Sequence, residues 1–242
     1  MKKVINSALI AAGGSGTRMG GNIPKQFMTL NGIPIIIYTL MQFERCRFID
    51  EIVVSARSCD IELIWNLARR YGISKLSCVA EGGAARCESV LNGLKKVNGE
   101  YVFIHDAARP FVTQKQIREV VSAVHRFGAA SLGIPVKDTV KQVDKNKLIT
   151  KTVSRDDKCL IQTPQGFKTD EILSAHIYAR DNGIEATDDC AAAELLNIPI
   201  RVIEGSSQNF KITTPDDMFL AEAIVKRRGA ERRKDNASRI GI

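Results

Sequence analysis

Residues 10–27 read Ile-Ala-Ala-Gly-Gly-Ser-Gly-Thr-Arg-Met-Gly-Gly-Asn-Ile-Pro-Lys-Gln-Phe, and this glycine-rich stretch decides how the rest of the chain is interpreted. The apolar residues 4–10 directly before the glycines predict a β-strand. Glycine has no Cβ, so backbone N–H groups in the loop that follows can turn toward a ligand without obstruction. Clustered N–H groups attract anions, and Arg18 and Lys25 bring two positive charges to the same loop. The stretch therefore predicts a strand that ends in a polyphosphate-binding loop.

Two better-known glycine loops do not match this stretch. A P-loop requires a Gly-Lys-Ser/Thr sequence, which the chain lacks. A dinucleotide-binding fingerprint would begin at Gly14 but meets Met19 where its third glycine belongs, and the next predicted strand, residues 51–55, ends without the acidic residue that holds a ribose. An ordinary glycine-rich turn is the remaining alternative. We set it aside because Arg18 and the Pro24-Lys25 pair accompany the glycines.

The composition limits the classes of protein to which the chain can belong. Of its 242 residues, 44% are hydrophobic and 26% are charged, which is ordinary for one globular domain with a sizeable core. No apolar run approaches the roughly 20 residues that a membrane helix needs, so no membrane partner is expected. The six cysteines contain no Cys-x-x-Cys pair, which indicates reduced thiols in the cytoplasm and no structural zinc.

The formal net charge of +8 is concentrated toward the carboxyl terminus. From Lys226 onward, seven Lys and Arg residues accompany only two acidic ones. Such a segment could contact nucleic acid or anionic lipid, but a frayed, solvated terminus is the simpler interpretation. We therefore expect residues 1–228 to form one domain and residues 229–242 a basic, disordered tail, with no nucleic-acid partner.

Apolar runs alternate with helical patterns along the chain. The predicted strands cover residues 4–10, 51–55, 77–80, 101–104, 129–134 and 200–203, and the predicted helices cover 35–44, 59–71, 86–97, 113–127, 169–181, 187–196 and a last segment from Pro215, capped by Thr214. This βαβα order predicts an α/β fold with a mostly parallel sheet covered by helices on both faces. Ligands of such sheets bind beyond the carboxyl ends of the strands, which selects the loops at Gly13, Gly82 and Asp106.

The alternation breaks between residues 139 and 154, where two segments of alternating polarity surround Asp144-Lys145-Asn146-Lys147. This pattern predicts a β-hairpin. The hairpin contains several lysines and few large apolar groups, so it would bury little by itself. We expect it to pack against something else, such as a second subunit.

Asp106 is the main candidate for chemistry outside the glycine loop. It follows a predicted strand, and a carboxylate there, facing a phosphate loop, is well placed to hold Mg²⁺. The structural alternative, an ion pair with Arg109 or a cap for the helix near Thr113, has equal weight from spacing alone. The turn at Gly82-Gly83 is a weaker anion-binding candidate, in which Ser89 could hydrogen-bond a base edge.

The three histidines form no Ser-His-Asp or Cys-His pattern. A reaction whose nucleophile is a phosphate oxygen needs no general base, since that oxygen is already ionised near neutral pH. Catalysis would then depend on alignment and charge stabilisation, as in phosphoryl transfer.

Eight short motifs, taken together and in order, resemble one enzyme family. They are Ala-Ala-Gly-Gly-Ser-Gly-Thr-Arg-Met at 11–19, Pro-Lys-Gln at 24–26, Gly-Gly-x-x-Arg-x-x-Ser-Val at 82–90, His-Asp-Ala-Ala-Arg-Pro at 105–110, Lys-Asp-Thr-Val at 137–140, Thr-Val-x-Arg at 152–155, Thr-Pro-Gln at 163–165 and Asn-x-Lys-Ile-Thr at 209–213. Over residues 4–225 the chain resembles the 2-C-methyl-D-erythritol 4-phosphate cytidylyltransferases of the non-mevalonate isoprenoid pathway. The resemblance implies transfer of a cytidylyl group from CTP to the polyol phosphate, with release of pyrophosphate. It also implies a Rossmann-like nucleotidyltransferase domain whose protruding β-hairpin arm, at about residues 137–155, reaches across a homodimer.

The resemblance implies a role for each matching position. The CTP phosphates would be bound by Ala11, Ala12, Gly13, Gly14, Ser15 and Gly16, while Arg18, Lys25 and Lys211 would be catalytic. Gly82, Gly83 and Ser89 would read cytosine, with Arg86 supporting their turn. Asp106 would hold Mg²⁺ or another divalent cation. The polyol phosphate would be held by Asp106, Arg109, Lys211, Thr139 and Arg155, the last two supplied by the arm of the other subunit.

Two positions depart from the family pattern. Ala84 stands where relatives often carry an acidic or polar residue, and Gln208 stands where some carry an acid, so the resemblance supplies one protein ligand for the metal. A ribitol 5-phosphate cytidylyltransferase would share the same chemistry and is the main alternative. A non-catalytic nucleotide-binding module is the alternative from another class.

Overall fold

The computed structural model describes residues 5–14 and 23–240, with side chains as far as residue 229. Its strands are β1 Asn6–Ala11, β2 Thr29–Leu30, β3 Ile33–Pro34, β4 Glu51–Ala56, β5 Leu76–Glu81, β6 Tyr101–Asp106, β7 Ala129–Pro135, β8 Val140–Val143, β9 Ile149–Val153, β10 Cys159–Lys168 and β11 Arg201–Glu204. Its α-helices are α1 Ile35–Glu44, α2 Ile61–Arg70, α3 Arg86–Leu94, α4 Gln114–Phe127, α5 Thr169–Asp181, α6 Asp189–Glu194 and α7 Pro215–Ile240. The predicted order of strands and helices is confirmed; the structure adds the short strands β2 and β3 and the long strand β10.

Seven strands form the central sheet in the order β11-β7-β10-β6-β1-β4-β5. All neighbouring pairs are parallel except those of β10, which is antiparallel to both β6 and β7. Helices cover both faces, because side chains alternate along each strand: Ala8 and Ile10 of β1 pack with α1, α2 and α4, whereas Leu9 packs with α3, α5 and α6. The predicted fold, a mostly parallel sheet flanked by helices, is confirmed.

The parallel strands end level with one another, and this alignment positions the site. Ala11 at the end of β1 pairs with Asp106 of β6 on one side and with Ser55 of β4 on the other. Farther along the sheet, Ala56 pairs with Glu81 of β5. The loops that follow these four strands therefore emerge at the same edge.

Strand β10 was not predicted from the sequence. Its pattern is interrupted by Pro164, which cannot donate a ladder hydrogen bond, and the pairing with β7 shifts register between Ile161 and Gln165. A Cβ at Gly166 would approach Val124 and Phe103 within 2.6 Å and 2.7 Å, so only glycine fits this crowded position. Features that argue against a strand in sequence therefore serve close packing in the structure.

The predicted hairpin is confirmed as β8 and β9, which pair antiparallel and belong to no larger sheet. It extends from the body with its apolar side chains uncovered: Leu148 is 64% exposed and Ile149 is 65% exposed. We refer to residues 137–155 as the arm.

The last helix begins as predicted, since Thr214 Oγ1 accepts a hydrogen bond from the Asp217 N–H at 3.3 Å. It extends to Ile240, and the division into one domain over residues 1–228 and a basic tail over residues 229–242 stays a prediction. Among the described residues, no helix is long and apolar enough to cross a membrane.

Candidate functional site

A cavity of about 560 Å³ lies at the sheet edge where β1, β4, β5 and β6 end. Its wall is formed by Ala11, Ala12, Gly13, Gly14, Lys25, Gln26, Arg57, Gly83, Ala84, Ala85, Arg86, Ser89, Asp106, Ala107, Ala108, Lys211 and Thr213. These residues come from six separate segments of the chain. The strand-end rule therefore selected the correct edge of the sheet.

Asp106 is the centre of charge in this cavity. Its Oδ2 lies 3.1 Å from both Arg109 Nε and Lys211 Nζ, and its Oδ1 lies 3.4 Å from Arg86 Nε. Burial would raise the pKa of Asp106, but Lys211, Arg86 and Arg109 together hold this pKa well below its usual range. The carboxylate is therefore ionised at any physiological pH.

Arg86 connects Asp106 to a second carboxylate that the sequence did not single out. Its Nη1 and Nη2 lie 3.1 Å and 2.8 Å from Oδ1 and Oδ2 of Asp189, a residue with no exposed surface. His176 Nε2 lies 3.2 Å from the same Asp189 Oδ1. Burial would lower the pKa of Arg86, but Asp189 and Asp106 raise it, so the guanidinium remains charged.

A chain of hydrogen bonds between uncharged groups fixes the backbone at Asp106. The Asp106 N–H donates to Thr163 Oγ1 at 3.2 Å, and Thr163 Oγ1 lies 2.9 Å from His105 Nδ1. His105 Nε2 lies 3.1 Å from the Arg109 carbonyl, which can only accept, so the ring proton resides on Nε2. Burial lowers the pKa of His105 to about 4, which keeps the ring neutral near pH 7.

Another part of the cavity wall consists of glycines, where there is no room for larger side chains. A Cβ on Gly13 or Gly82 would approach Ser89 Oγ within 2.9 Å or 2.8 Å. Ser89 Oγ accepts a hydrogen bond from the Gly83 N–H at 3.0 Å and donates to the Ala85 carbonyl at 3.0 Å. This buried hydroxyl therefore fixes the turn after β5 and lies close against Gly13 of the β1 loop.

The Pro24-Lys25-Gln26 motif is tied to the glycine loop. Gln26 Nε2 donates to the carbonyls of Ala12 and Gly14 at 2.8 Å and 3.1 Å. This tether places Lys25 on the cavity wall next to the glycines. The two halves of residues 10–27 that the structure describes thus meet in one place.

The structure brings most of the predicted site residues together. Ten of them line the cavity: Ala11, Ala12, Gly13, Gly14, Lys25, Gly83, Arg86, Ser89, Asp106 and Lys211. Arg109 contacts Asp106 and the Asn209 carbonyl, while Gly82 lies in the turn without lining the cavity. Ser15, Gly16 and Arg18 lie outside the described residues.

Thr139 and Arg155 do not reach the cavity of their own chain. Both are exposed on the arm, where Arg155 Nη1 donates to the Lys137 carbonyl. The family resemblance assigned these two residues to the site of another subunit, and that assignment stays a prediction.

Four polar or charged residues around the described part of the cavity stand out among those that sequence reasoning did not assign to the site. Arg57 and Thr213 line the cavity, Thr163 supports Asp106, and Asp189 holds Arg86. Arg57 directly follows β4, so the strand-end rule could have found it. No local signal indicates Asp189, because its partner Arg86 lies 103 positions away.

The donor set fits a divalent cation that is shared with a ligand. Among the described residues no group of three or more His, Cys, Asp or Glu side chains could hold a metal ion by itself. Asp106 is ionised, lines the cavity next to Gly13 and Gly14, and has in Oδ1 an oxygen with a single, long nitrogen contact. Mg²⁺ is commonly bound by one or two carboxylates together with substrate phosphates.

Comparison with known proteins finds related enzymes that are similar over most of the chain. Residues 6–227 match the family described as IspD: 2-C-methyl-D-erythritol 4-phosphate cytidylyltransferase. The protein of that name from Syntrophus aciditrophicus (strain SB) is 42% identical over 223 residues, which cover 91% of this chain and 95% of the relative. The corresponding protein from Clostridium acetobutylicum is 40% identical over 225 residues, with coverage of 92% and 98%. The crystal structure of 4-diphosphocytidyl-2C-methyl-D-erythritol synthase from Anaerococcus prevotii is similar with a TM-score of 0.82, at 30% identity and coverage of 92% and 96%.

Proposed function

The chain belongs to the 2-C-methyl-D-erythritol 4-phosphate cytidylyltransferase family, and from this premise we propose how its residues divide the reaction. It is a nucleotidyltransferase that transfers a cytidylyl group from CTP to 2-C-methyl-D-erythritol 4-phosphate and releases pyrophosphate. Ribitol 5-phosphate, the alternative acceptor, is not favoured by the relatives.

One observation carries the division of roles. The glycine loop with Lys25 and the cluster of Asp106, Arg86 and Lys211 line the same cavity, although the chain separates them widely. The backbone of residues 11–14 and the Lys25 ammonium are suited to the CTP triphosphate, to which Arg18 would add a further charge. The turn at Gly83 and Ser89 lies next to this loop and is suited to the cytosine base.

The chemical step requires no base from the protein. An oxygen of the acceptor phosphate, already ionised, attacks the α-phosphorus of CTP. The bond from that phosphorus to the β-phosphate oxygen breaks, and its electron pair leaves with pyrophosphate. Lys25 and Lys211 would stabilise the charge that accumulates on the phosphate oxygens, in agreement with a cavity whose neighbouring histidine is neutral and buried.

Asp106 would hold Mg²⁺ or another divalent cation. The support is its ionised state, its place beside the phosphate loop and its loosely engaged Oδ1. A bound cation would neutralise negative charge on the triphosphate. Arg109 and Lys211 occupy the other oxygen and would hold the phosphate of the acceptor.

The functional unit would be a homodimer joined through the arm. The arm leaves β7 at Pro135 and enters β10 at Cys159, and these two residues pair with each other. Because β10 then runs antiparallel to β6, the arm begins at the same edge as the cavity. Its uncovered apolar side chains, and the exposed Thr139 and Arg155, suit an arm that completes the site of a second subunit. All six cysteines are free thiols, which agrees with our placement of the enzyme in the cytoplasm.

Pyrophosphate release with CTP tests this assignment. We expect Lys25→Ala to reduce turnover severely, and the control Lys115→Ala, a surface lysine paired with Glu119, to remain near the unmodified rate. The unmodified enzyme should prefer methylerythritol phosphate when it is compared with ribitol 5-phosphate. Near-normal turnover of Lys25→Ala would refute its role. Loss of activity on deletion of residues 229–242, with no pyrophosphate formed, would favour a non-catalytic module.

A further inference from the structure

Asp189 lies behind the cavity and does not line it. It is the first residue of α6, directly after the N-cap Asp188, and its side chain has no exposed surface. The Arg86 guanidinium binds it with two hydrogen bonds, of 2.8 Å and 3.1 Å. A short bidentate pair between arginine and a carboxylate is among the strongest hydrogen-bonding arrangements in proteins and fixes the orientation of both groups.

Both terminal nitrogens of Arg86 bind Asp189, so Arg86 contacts Asp106 through Nε alone. The contact from Arg86 Nε to Asp106 Oδ1 is a single one and measures 3.4 Å. Oδ2 of the same carboxylate has two nitrogens at 3.1 Å. Among the described residues, Oδ1 is therefore the less engaged of the two oxygens.

We propose that Asp189 is a positioning residue for the reaction: it restrains the Arg86 guanidinium so that Asp106 Oδ1 stays open to a divalent cation bound together with CTP. The inference rests on the proposed function, since it requires Asp106 to hold that cation. Asp189 acts only through Arg86.

Loss of the Asp189 charge would change the balance between the two carboxylates. An uncharged residue at this position holds the guanidinium less tightly. The nearest remaining anion is Asp106, and Arg86 already touches it. A closer contact there would place a positive charge on the oxygen that the cation needs, so cation and guanidinium would compete for Oδ1.

The test compares Asp189→Asn with Asp188→Asn as a matched control. Asp188 caps α6 through the Ala191 N–H, accepts a hydrogen bond from Gln165 Nε2 and does not contact Arg86; asparagine is an equally good cap and removes the same charge as the test variant. Binding of CTP is measured by calorimetry without the acceptor, once with Mg²⁺ and once with EDTA. In Asp189→Asn we expect Mg²⁺-dependent binding to weaken about 10-fold to 100-fold, the range found when partners of metal-binding groups are replaced. Binding in EDTA and the Asp188→Asn control should change little, and the Mg²⁺ concentration that gives half-maximal turnover should rise in parallel.

The double variant Arg86→Gln/Asp189→Asn separates positioning from a purely structural role. It removes the competing guanidinium, so it should recover part of the Mg²⁺-dependent binding lost in Asp189→Asn. An equal loss with Mg²⁺ and with EDTA, an unchanged Mg²⁺ requirement, or a double variant no better than the single one would overturn the proposal. Absence of pyrophosphate release by the unmodified enzyme would instead refute the proposed function itself.

Discussion

The cavity has two sides that are built in different ways. The charged side consists of Arg86, Asp106 and Lys211, with Arg109 and Asp189 behind them. Its geometry is set by ion pairs, most of which join residues far apart in sequence. The glycine side consists of residues 12–14 and 83–85 around Ser89, and its geometry is set by backbone groups and missing side chains.

The difference determines what each side tolerates. On the charged side a substitution that removes a charge changes the electrostatics while leaving the backbone in place. On the glycine side the addition of one methyl group changes the shape before it changes any charge. The two sides should therefore fail in different measurements, activity for the first and stability or CTP affinity for the second.

The largest expected effect is on the charged side, in Lys211→Ala. Lys211 Nζ lies 3.1 Å from Asp106, and its side chain is 36% exposed. We expect kcat/KM for pyrophosphate release to fall about 100-fold to 1,000-fold, the usual loss of one group that stabilises transition-state charge. The melting temperature should change little, because Arg86 and Arg109 still pair with the buried Asp106 carboxylate when Lys211 is removed. A large fall in melting temperature would show that the charged side also supports the fold, and the contrast between the sides would fail.

The pH dependence of stability tests the neutral support under the charged side. The pKa of His105 is lowered from 6.5 to about 4, so the unfolded chain binds this proton at a higher pH than the folded one. The contribution of His105 to the free energy of unfolding is therefore fully present above pH 6.5. It falls by roughly 3 kcal/mol as the pH decreases toward 4. Denaturant titrations across this range measure the slope, and His105→Gln should flatten it.

Asp106 contributes in a separate range. Its lowered pKa gives stability above the unfolded value of 3.8, and this contribution is lost only as the pH falls further. A stability curve for the unmodified chain that is flat between pH 6.5 and 4 would contradict the assignment of a neutral, buried His105.

The smallest expected effects are on the glycine side, where two adjacent glycines form a matched pair. A Cβ on Gly13 would meet Ser89 Oγ at 2.9 Å, so Gly13→Ala should destabilise the fold by about 1–3 kcal/mol, as overpacking does. A Cβ on Gly14 would meet no atom of the described residues within 4 Å. Gly14→Ala should therefore change stability by less than about 0.5 kcal/mol while it raises KM for CTP. Equal melting temperatures for the two variants would remove the steric explanation.

The fold was predictable where local pattern and packing agree. Helices α1 and α5 begin and end where the periodicity places them, and the strand-end rule brought Gly13 and Asp106 to one edge. Strand β10 was missed because Pro164 and Gly166 resemble strand breakers. In the structure Pro164 lies within a register shift, and Gly166 is required by the close approach of Phe103.

The site was less predictable than the fold, for a physical reason. Local sequence identifies groups that can bind phosphate, such as the glycines and Lys25. Local sequence does not identify which charged residue pairs with another from a distant part of the chain, as Asp189 does with Arg86. That contact depends on how α6 packs beside α3 and α5. The resemblance to a family supplied the roles of Arg109 and Lys211 for the same reason.

The ion cluster around Asp106 also affects how this chain has to be measured. Arg86, Arg109 and Lys211 together outnumber the carboxylates of Asp106 and Asp189 by one charge, and the surplus is held in a partly dehydrated space. Any anion that settles there binds the folded chain and not the unfolded one, so it raises the melting temperature with its concentration. Inorganic phosphate in a buffer is such an anion. A melting temperature measured in phosphate buffer would therefore depend on how much phosphate is bound to the ion cluster as well as on the stability of the fold. In a zwitterionic buffer it would depend on the stability of the fold alone.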